Sequence, residues 1–161
     1  YDQQDTKIAR KKGKSKKLVS NWMYANSIHL IDYISFLTRG KIKDIKFIKR
    51  TKDEINCYIK FSSKDIVNYI CRWNKPGPWQ VKVSTKKYYF EMSPLEILRI
   101  KSDFNKKNKI LEISNVDKKF KTGIKLQIDD LIKVFLKKKN NLVDLKKMYK
   151  TMNLIKKIYL R

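Results

Sequence analysis

Glycine, proline and cysteine are scarce in this chain of 161 residues, which holds four, three and two of them, and histidine occurs once. The four glycines are widely separated and form no Gly-x-Gly, so the turn that cradles a dinucleotide pyrophosphate is missing, and there is no room for a βαβαβ nucleotide-binding half. Two of the three prolines stand in Pro76-Gly77-Pro78, which removes two amide donors and excludes a central strand there. Cys57 and Cys71 are far from any Cys-x-x-Cys spacing, and two cysteines cannot make a metal site without the single histidine. Buried free thiols are the expectation. No stretch reaches the ~18 uninterrupted apolar residues of a membrane span, and no charged start followed by an apolar core marks a signal peptide. These two absences predict a cytoplasmic protein with no membrane partner.

Acidic residues are few as well: 15 Asp and Glu stand against 40 Lys and Arg, for a formal charge of +25. A balance of this kind attracts phosphate backbones. Yet 34 of the basic residues are Lys and six are Arg, whereas bidentate recognition of guanine or phosphate favours the Arg fork. Twenty Ile and 11 Asn beside two Ala point to A/T-rich codons, so Lys fills solvated positions and dedicated nucleic-acid binding is not the first reading. The field would still draw anions. With 42% hydrophobic and 12% aromatic residues the composition is that of a globular protein. One domain of this length buries roughly 70% of its unfolded surface.

Residues 1 to 20 carry Lys11-Lys12-Gly13-Lys14-Ser15-Lys16-Lys17 and little apolar periodicity, which predicts a basic, poorly ordered N-terminal segment before a domain spanning 21 to 161. From Asn21 to Thr38 the pattern is helical: Leu30, Ile34 and Leu37 form a core stripe, and Trp22, Asn26, His29 and Tyr33 share a different sector. After Gly40 the period changes to two. Ile55-Cys57-Ile59-Phe61, Val67-Tyr69-Cys71-Trp73 and Trp79-Val81-Val83 read as half-buried strands, joined by Ile45-Phe47, Tyr88-Phe90-Met92 and Leu95-Ile97. An exposed loop is expected over 105–109, then helices from Ile128 to Leu136 and from Leu142 to Ile155. The order predicts an α+β fold: an open, largely antiparallel sheet of about six strands with helices packed on one face.

Asn26-Ser27-Ile28-His29-Leu30-Ile31-Asp32, followed by Phe36-Leu37-Thr38-Arg39-Gly40-Lys41-Ile42, resembles the His-x-x-Asp helix leading into a glycine and the first sheet strand of the C-terminal domain of the glucose-fructose oxidoreductase / inositol dehydrogenase (Gfo/Idh/MocA) family. Tyr89-Phe90-Glu91-Met92-Ser93-Pro94-Leu95-Glu96 is similar to that family's strand ending in Pro-Leu-Glu, and the closing run from Gly123 to Ile158 fits as well. The resemblance covers about residues 20 to 160. It implies the substrate-binding and oligomerising half of an NAD(P)-dependent oxidoreductase acting on a sugar, polyol or nucleotide-sugar.

His29 would then assist proton transfer while hydride moves between substrate and nicotinamide, and Asn26, Asp32 and Trp22 would line the substrate. Asp32 is equally readable as a helix-packing contact, and Trp22 as packing. The family's catalytic lysine, in Glu-Lys-Pro, belongs to the other half and is absent here, and Ala25 occupies a position where many members carry an acid. No cofactor is expected on this chain alone; NAD or NADP would sit on a Rossmann-domain half in the same or a separate chain. A homo-oligomer through the sheet face is expected, because the alternation of Tyr58, Asn68, Ile70 and Arg72 needs covering. The competing expectation is a non-catalytic binding or scaffold protein that holds anionic partners such as nucleic acid on its basic surface.

A Ser-His-Asp hydrolase built from Ser27, His29 and Asp32 fails, because residues two apart on a helix point in different directions and no nucleophile elbow is present.

Overall fold

The computed structural model describes residues 1–103 and 107–160. The elements, in chain order, are β1 (Asp2–Gln4), α1 (Thr6–Lys11), α2 (Lys16–Ser20), a π-helical turn (Met23–Ser27), α3 (Ile28–Leu37), β2 (Ile42–Arg50), β3 (Glu54–Phe61), β4 (Ile66–Trp73), β5 (Val81–Ser84), β6 (Tyr89–Met92), β7 (Leu98–Lys101), β8 (Lys109–Ile110), α4 (Asn115–Lys119), α5 (Ile124–Phe135) and α6 (Leu145–Tyr159). They form two compact units: Tyr1–Val81 together with the chain from Tyr149 onward, and Lys82–Met148.

In the first unit the strand order is β1-β4-β3-β2. β2, β3 and β4 pair antiparallel, and β1 adds to β4 in parallel. Period-two alternation puts Ile55, Cys57, Ile59 and Phe61 of β3 beside Tyr69, Cys71 and Trp73 of β4 on one face. Against that face pack Ile31 and Ile34 of α3 and Leu154, Ile155 and Ile158 of α6, so the helices cover one side of the sheet and leave the other open. Two register shifts in β2, between Ile42 and Asp44 and between Phe47 and Lys49, reset the alternation and turn Ile48 outward.

α3 ends where Thr38 becomes extended and Gly40 adopts φ +74°. A Cβ on Gly40 would collide with Ser62 Oγ, and with its positive φ only glycine fits. Beside it, Arg39 grips Asp65 through Nη2 (2.7 Å), Nε (3.2 Å) and its own backbone amide (2.8 Å), clamping the α3–β2 turn to the β3–β4 turn. Asp65 is held well below the usual carboxylate range by these bonds.

The second unit has strand order β5-β6-β7-β8. β6 and β7 are antiparallel with Tyr89 opposite Lys101, and β8 pairs antiparallel with β7. α4 is capped by Ser114, whose hydroxyl accepts from the Asp117 amide at 3.1 Å; Asp117 Oδ1 accepts from the Gly123 amide at 2.9 Å, at the start of α5.

The protein is α+β with mostly antiparallel pairing, as the sequence predicts, but its strands divide into two sheets of four. The division falls at Pro76-Gly77-Pro78, where missing amides stop β4 from continuing its ladder into β5. The free edge of β4 is taken by β1 instead. That strand corrects the expectation of a poorly ordered segment over residues 1 to 20, which holds β1, α1 and α2; Asp5 and Ser15 cap the two helices through the Ile8 and Leu18 amides.

The Leu95–Ile97 strand is also shifted: the Ile97 amide bonds back to the Pro94 carbonyl at 3.0 Å, closing a turn, and β7 starts at Leu98. α5 begins four residues before Ile128 and α6 three after Leu142. Of the loop expected over 105–109, Asn105 and Lys106 lie outside the described residues.

Candidate functional site around His29

His29 sits in the first turn of α3, exposed to solvent, and makes no hydrogen bond or ion pair with any described residue. It follows directly on the π-helical turn, which takes in one residue more than an α-turn. The insertion rotates the residues before Ile28 relative to those after it. Trp22, Asn26 and His29, which an ideal helix would stack in one sector, therefore part company.

Trp22 and Asn26 turn inward. Trp22 Nε1 donates to Gln4 Oε1 at 2.8 Å, and Asn26 Nδ2 donates to the same oxygen. Gln4 Nε2 in turn donates to Asp2 Oδ1. The other carboxylate oxygen of Asp2 accepts from Tyr69 OH at 2.6 Å. The Tyr69 and Tyr159 hydroxyl oxygens are 2.5 Å apart, and Tyr159 OH donates to Ser27 Oγ at 3.2 Å. Asp2, Gln4, Ser27 and Tyr69 are all buried, so this is a closed polar network at the core boundary, running from β1 through β4 and α6 to the π turn. Burial, the neighbouring phenol and the Asp2 carboxylate push Tyr69 well above 10; burial, Cys71 and Asp2 do the same for Tyr159. Both phenols stay neutral.

Asp32 does not face His29. Its Oδ1 accepts from Thr151 Oγ1 at 2.7 Å and ties α3 to α6. The structure thus gathers Trp22 and Asn26 around Gln4, gives Asp32 a helix-packing bond, and leaves His29 as the one of the four predicted site residues whose side chain is unengaged. Tyr33, half-buried, and Phe36, 81% exposed, follow His29 at four and seven residues on the same face of α3.

Asp2, Gln4, Tyr69 and Tyr159 were not legible as a cluster. Tyr69 reads as one position of a half-buried strand, and a three-residue strand is too short to show a period. Cys57 and Cys71 are buried free thiols, raised by burial to about 11 and, with the Asp2 carboxylate adding to it, to about 12. They are no nucleophiles at neutral pH.

Among the described residues no group of three His, Cys, Asp or Glu side chains gathers to hold a metal. Gly40 packs on Ser62 and Gly77 on Tyr1, so neither can receive a pyrophosphate, and the parallel pair recorded among the described residues, β1 with β4, lies in a mostly antiparallel sheet and not in a βαβ unit. No helix among the described residues is long and apolar enough to cross a membrane.

No family model matches the sequence, and no curated protein does. Solved structures do. The chain superposes on a UDP-N-acetylglucosamine 3-dehydrogenase, GnnA, from Acidithiobacillus ferrooxidans with a TM-score of 0.66 at 11% identity, over 83% of this chain and 44% of that one. It superposes on a dehydrogenase, MviM, from Clostridium difficile with a TM-score of 0.64 at 16% identity, over 86% of this chain and 47% of that one. Both are dehydrogenases, and the fold of this chain resembles a part of each. The chain spans slightly less than half the length of either.

Proposed function

We propose that this chain is the substrate-side half of an NAD(P)-dependent oxidoreductase acting on a sugar, polyol or nucleotide-sugar, with His29 as its acid/base residue. The observation that carries the reading is an unengaged, solvent-facing imidazole on the helix layer of a dehydrogenase-like platform. An imidazole can take the proton of a substrate hydroxyl or return it to a carbonyl. That proton is the part of the chemistry these residues can carry. Phe36 and Tyr33, along the same face, offer apolar surface to a sugar ring. The buried network below them keeps Trp22 and Asn26 from reaching the substrate directly; their task on this reading is to hold the π turn that presents His29.

NAD or NADP belongs to a Rossmann-domain half in the same or a separate chain. The open face of the first sheet, where Tyr58 pairs with Asn68 and Asn56 with Ile70, is the surface for self-association. Ile70→Glu is expected to lower the mass seen in sedimentation equilibrium while leaving the fold intact.

The single histidine makes the central test direct. Its imidazole resonance should shift saturably when the chain is titrated with UDP-sugars or free polyols, and Phe36→Ala should weaken that response about tenfold or less. Absence of any perturbation by these ligands, or tight stoichiometric NAD binding by this chain alone, would sink the reading.

A second reading has one specific observation behind it. Lys7, Arg10, Lys11, Lys12, Lys14, Lys16 and Lys17 are exposed on or between α1 and α2, a folded pair of helices, and none makes an ion pair among the described residues. A binding protein for anionic polymers would use this surface. Salt-dependent binding of mixed-sequence RNA or DNA, lost when Lys11 to Lys17 are neutralised, would favour it.

A further inference from the structure

In the second unit a cavity of about 530 Å³ opens at one end of the β5–β8 sheet. Its volume falls within the roughly 300–1,000 Å³ of small-ligand sites. The register creates it. Tyr89 pairs with Lys101, so the turn between β5 and β6 and the chain leaving β7 emerge side by side at the same edge. Thr85 shapes the turn: its Oγ1 accepts from the Lys87 amide at 3.3 Å and the Tyr88 amide at 3.0 Å, and donates to the Tyr88 carbonyl at 3.0 Å. The tip bearing Lys86 and Lys87 is thereby held by its own backbone.

Lys86, Lys87 and Lys101 line the cavity, and none of the three makes an ion pair among the described residues, although Lys82 of the same sheet reaches Glu91 at 3.6 Å. Asp103 is the one carboxylate residue in the same lining. Three cationic residues lining one hollow make its potential positive, which favours an anion there. Tyr88, half-exposed and inclined against Phe90 with ring centroids 5.9 Å apart, gives the hollow a flat aromatic wall.

We propose that this cavity binds a diphosphate group, with Lys86, Lys87 and Lys101 as its cationic donors, and that a nucleoside attached to that group lies against Tyr88. The proposal shares no residue with the His29 reading and stands or falls separately.

Titration of the full chain with sodium pyrophosphate, followed by amide NMR at constant ionic strength, tests it. Saturable shifts confined to residues 84–89 and 101–103 are expected, with sulfate at least about tenfold weaker. The triple variant Lys86→Ala, Lys87→Ala and Lys101→Ala should lose about tenfold or more in affinity, and neutralising Lys137, Lys138 and Lys139 less than about twofold. Lys101→Gln alone, checked for an unchanged amide spectrum, repeats the test should the triple variant misfold. Uridine diphosphate binding more tightly than pyrophosphate, with shifts of the Tyr88 ring, would support the nucleoside placement; equal affinities would overturn that placement and leave the diphosphate site. Shifts spread over the whole basic surface, or equal losses in the Lys137–Lys139 variant, would overturn the site itself and show general attraction of anions.

Discussion

Asp2 is a fully buried carboxylate with no cation beside it among the described residues, and it persists because Gln4 Nε2 and Tyr69 OH donate to its two oxygens. Tyr159 OH stands 3.5 Å from the oxygen that Tyr69 serves, so loss of the Tyr69 hydroxyl leaves that oxygen only this longer contact. Tyr69→Phe is therefore expected to lower the unfolding free energy by about 1.5–3 kcal/mol, the usual range for a hydrogen bond to a charged group, measured by urea denaturation. The same neighbourhood sets an alkaline limit. Cys57, Cys71, Tyr69 and Tyr159 all ionise at higher pH in the fold than when unfolded. Their contribution is complete below the ordinary thiol value of 9.0 and is lost as pH rises through about 11 and 12. The urea midpoint should hold from pH 7 to about 8.5 and fall steadily above pH 9. Neither thiol should react with Ellman's reagent at pH 8 until the chain is unfolded. Glu54 sets the opposite limit. Bonds from Lys49 at 2.8 Å and Lys75 at 3.1 Å hold it to about 2, so what it contributes is present above 4.5 and is lost as pH falls toward 2.

Elements are joined by a few specific fastenings. α6 is fixed at its C-terminus by Arg50 of β2, whose Nη2 donates to the Leu160 carbonyl at 2.6 Å, where a cation also meets the negative end of the helix. Along its length α6 is fixed by Ile155, which is fully buried. Ile155→Ala should cost about 2–5 kcal/mol, the range for removing a buried branched side chain from a packed core. At the other end of the same layer, Gly40→Ala combines a left-handed backbone with a collision against Ser62, and should cost about 1–3 kcal/mol in the same assay. The π turn is the fastening with a functional reading. Gln4→Ala would remove the acceptor shared by Trp22 and Asn26, and on our proposal it should weaken the response of the His29 imidazole resonance to sugar ligands, which Ile155→Ala should leave in place.

For the molecule as a whole, burial is uneven. All the buried apolar residues recorded among the described positions lie in the first unit, whereas in the second unit α5 exposes Ile128, Leu131, Ile132 and Phe135. Protection of amides against hydrogen exchange should accordingly be highest in β3, β4 and the last two turns of α6, and markedly lower in β5 to β8 and α5. Uniform protection across both units would contradict this account. The formal charge of +25 acts over the same scale: anion affinities should fall as salt rises, wherever on the surface the anion binds.

The sequence alone determined the local periods and the residues that could face a core. Ile55 to Phe61 and Val67 to Trp73 alternate because a half-buried strand must, and the Leu30/Ile34 spacing could only be a helix face; the α+β class and the prominence of His29 followed. Tertiary structure decided what local pattern cannot encode. A three-residue strand at Asp2–Gln4 has no period to read, and it exists because β4 offers an unpaired edge and Asp2 finds donors from β4. Likewise, a single extra residue in the π turn leaves composition untouched yet turns Trp22 and Asn26 inward, because hydrogen bonds to Gln4, distant in sequence, outweigh the regular helical ladder.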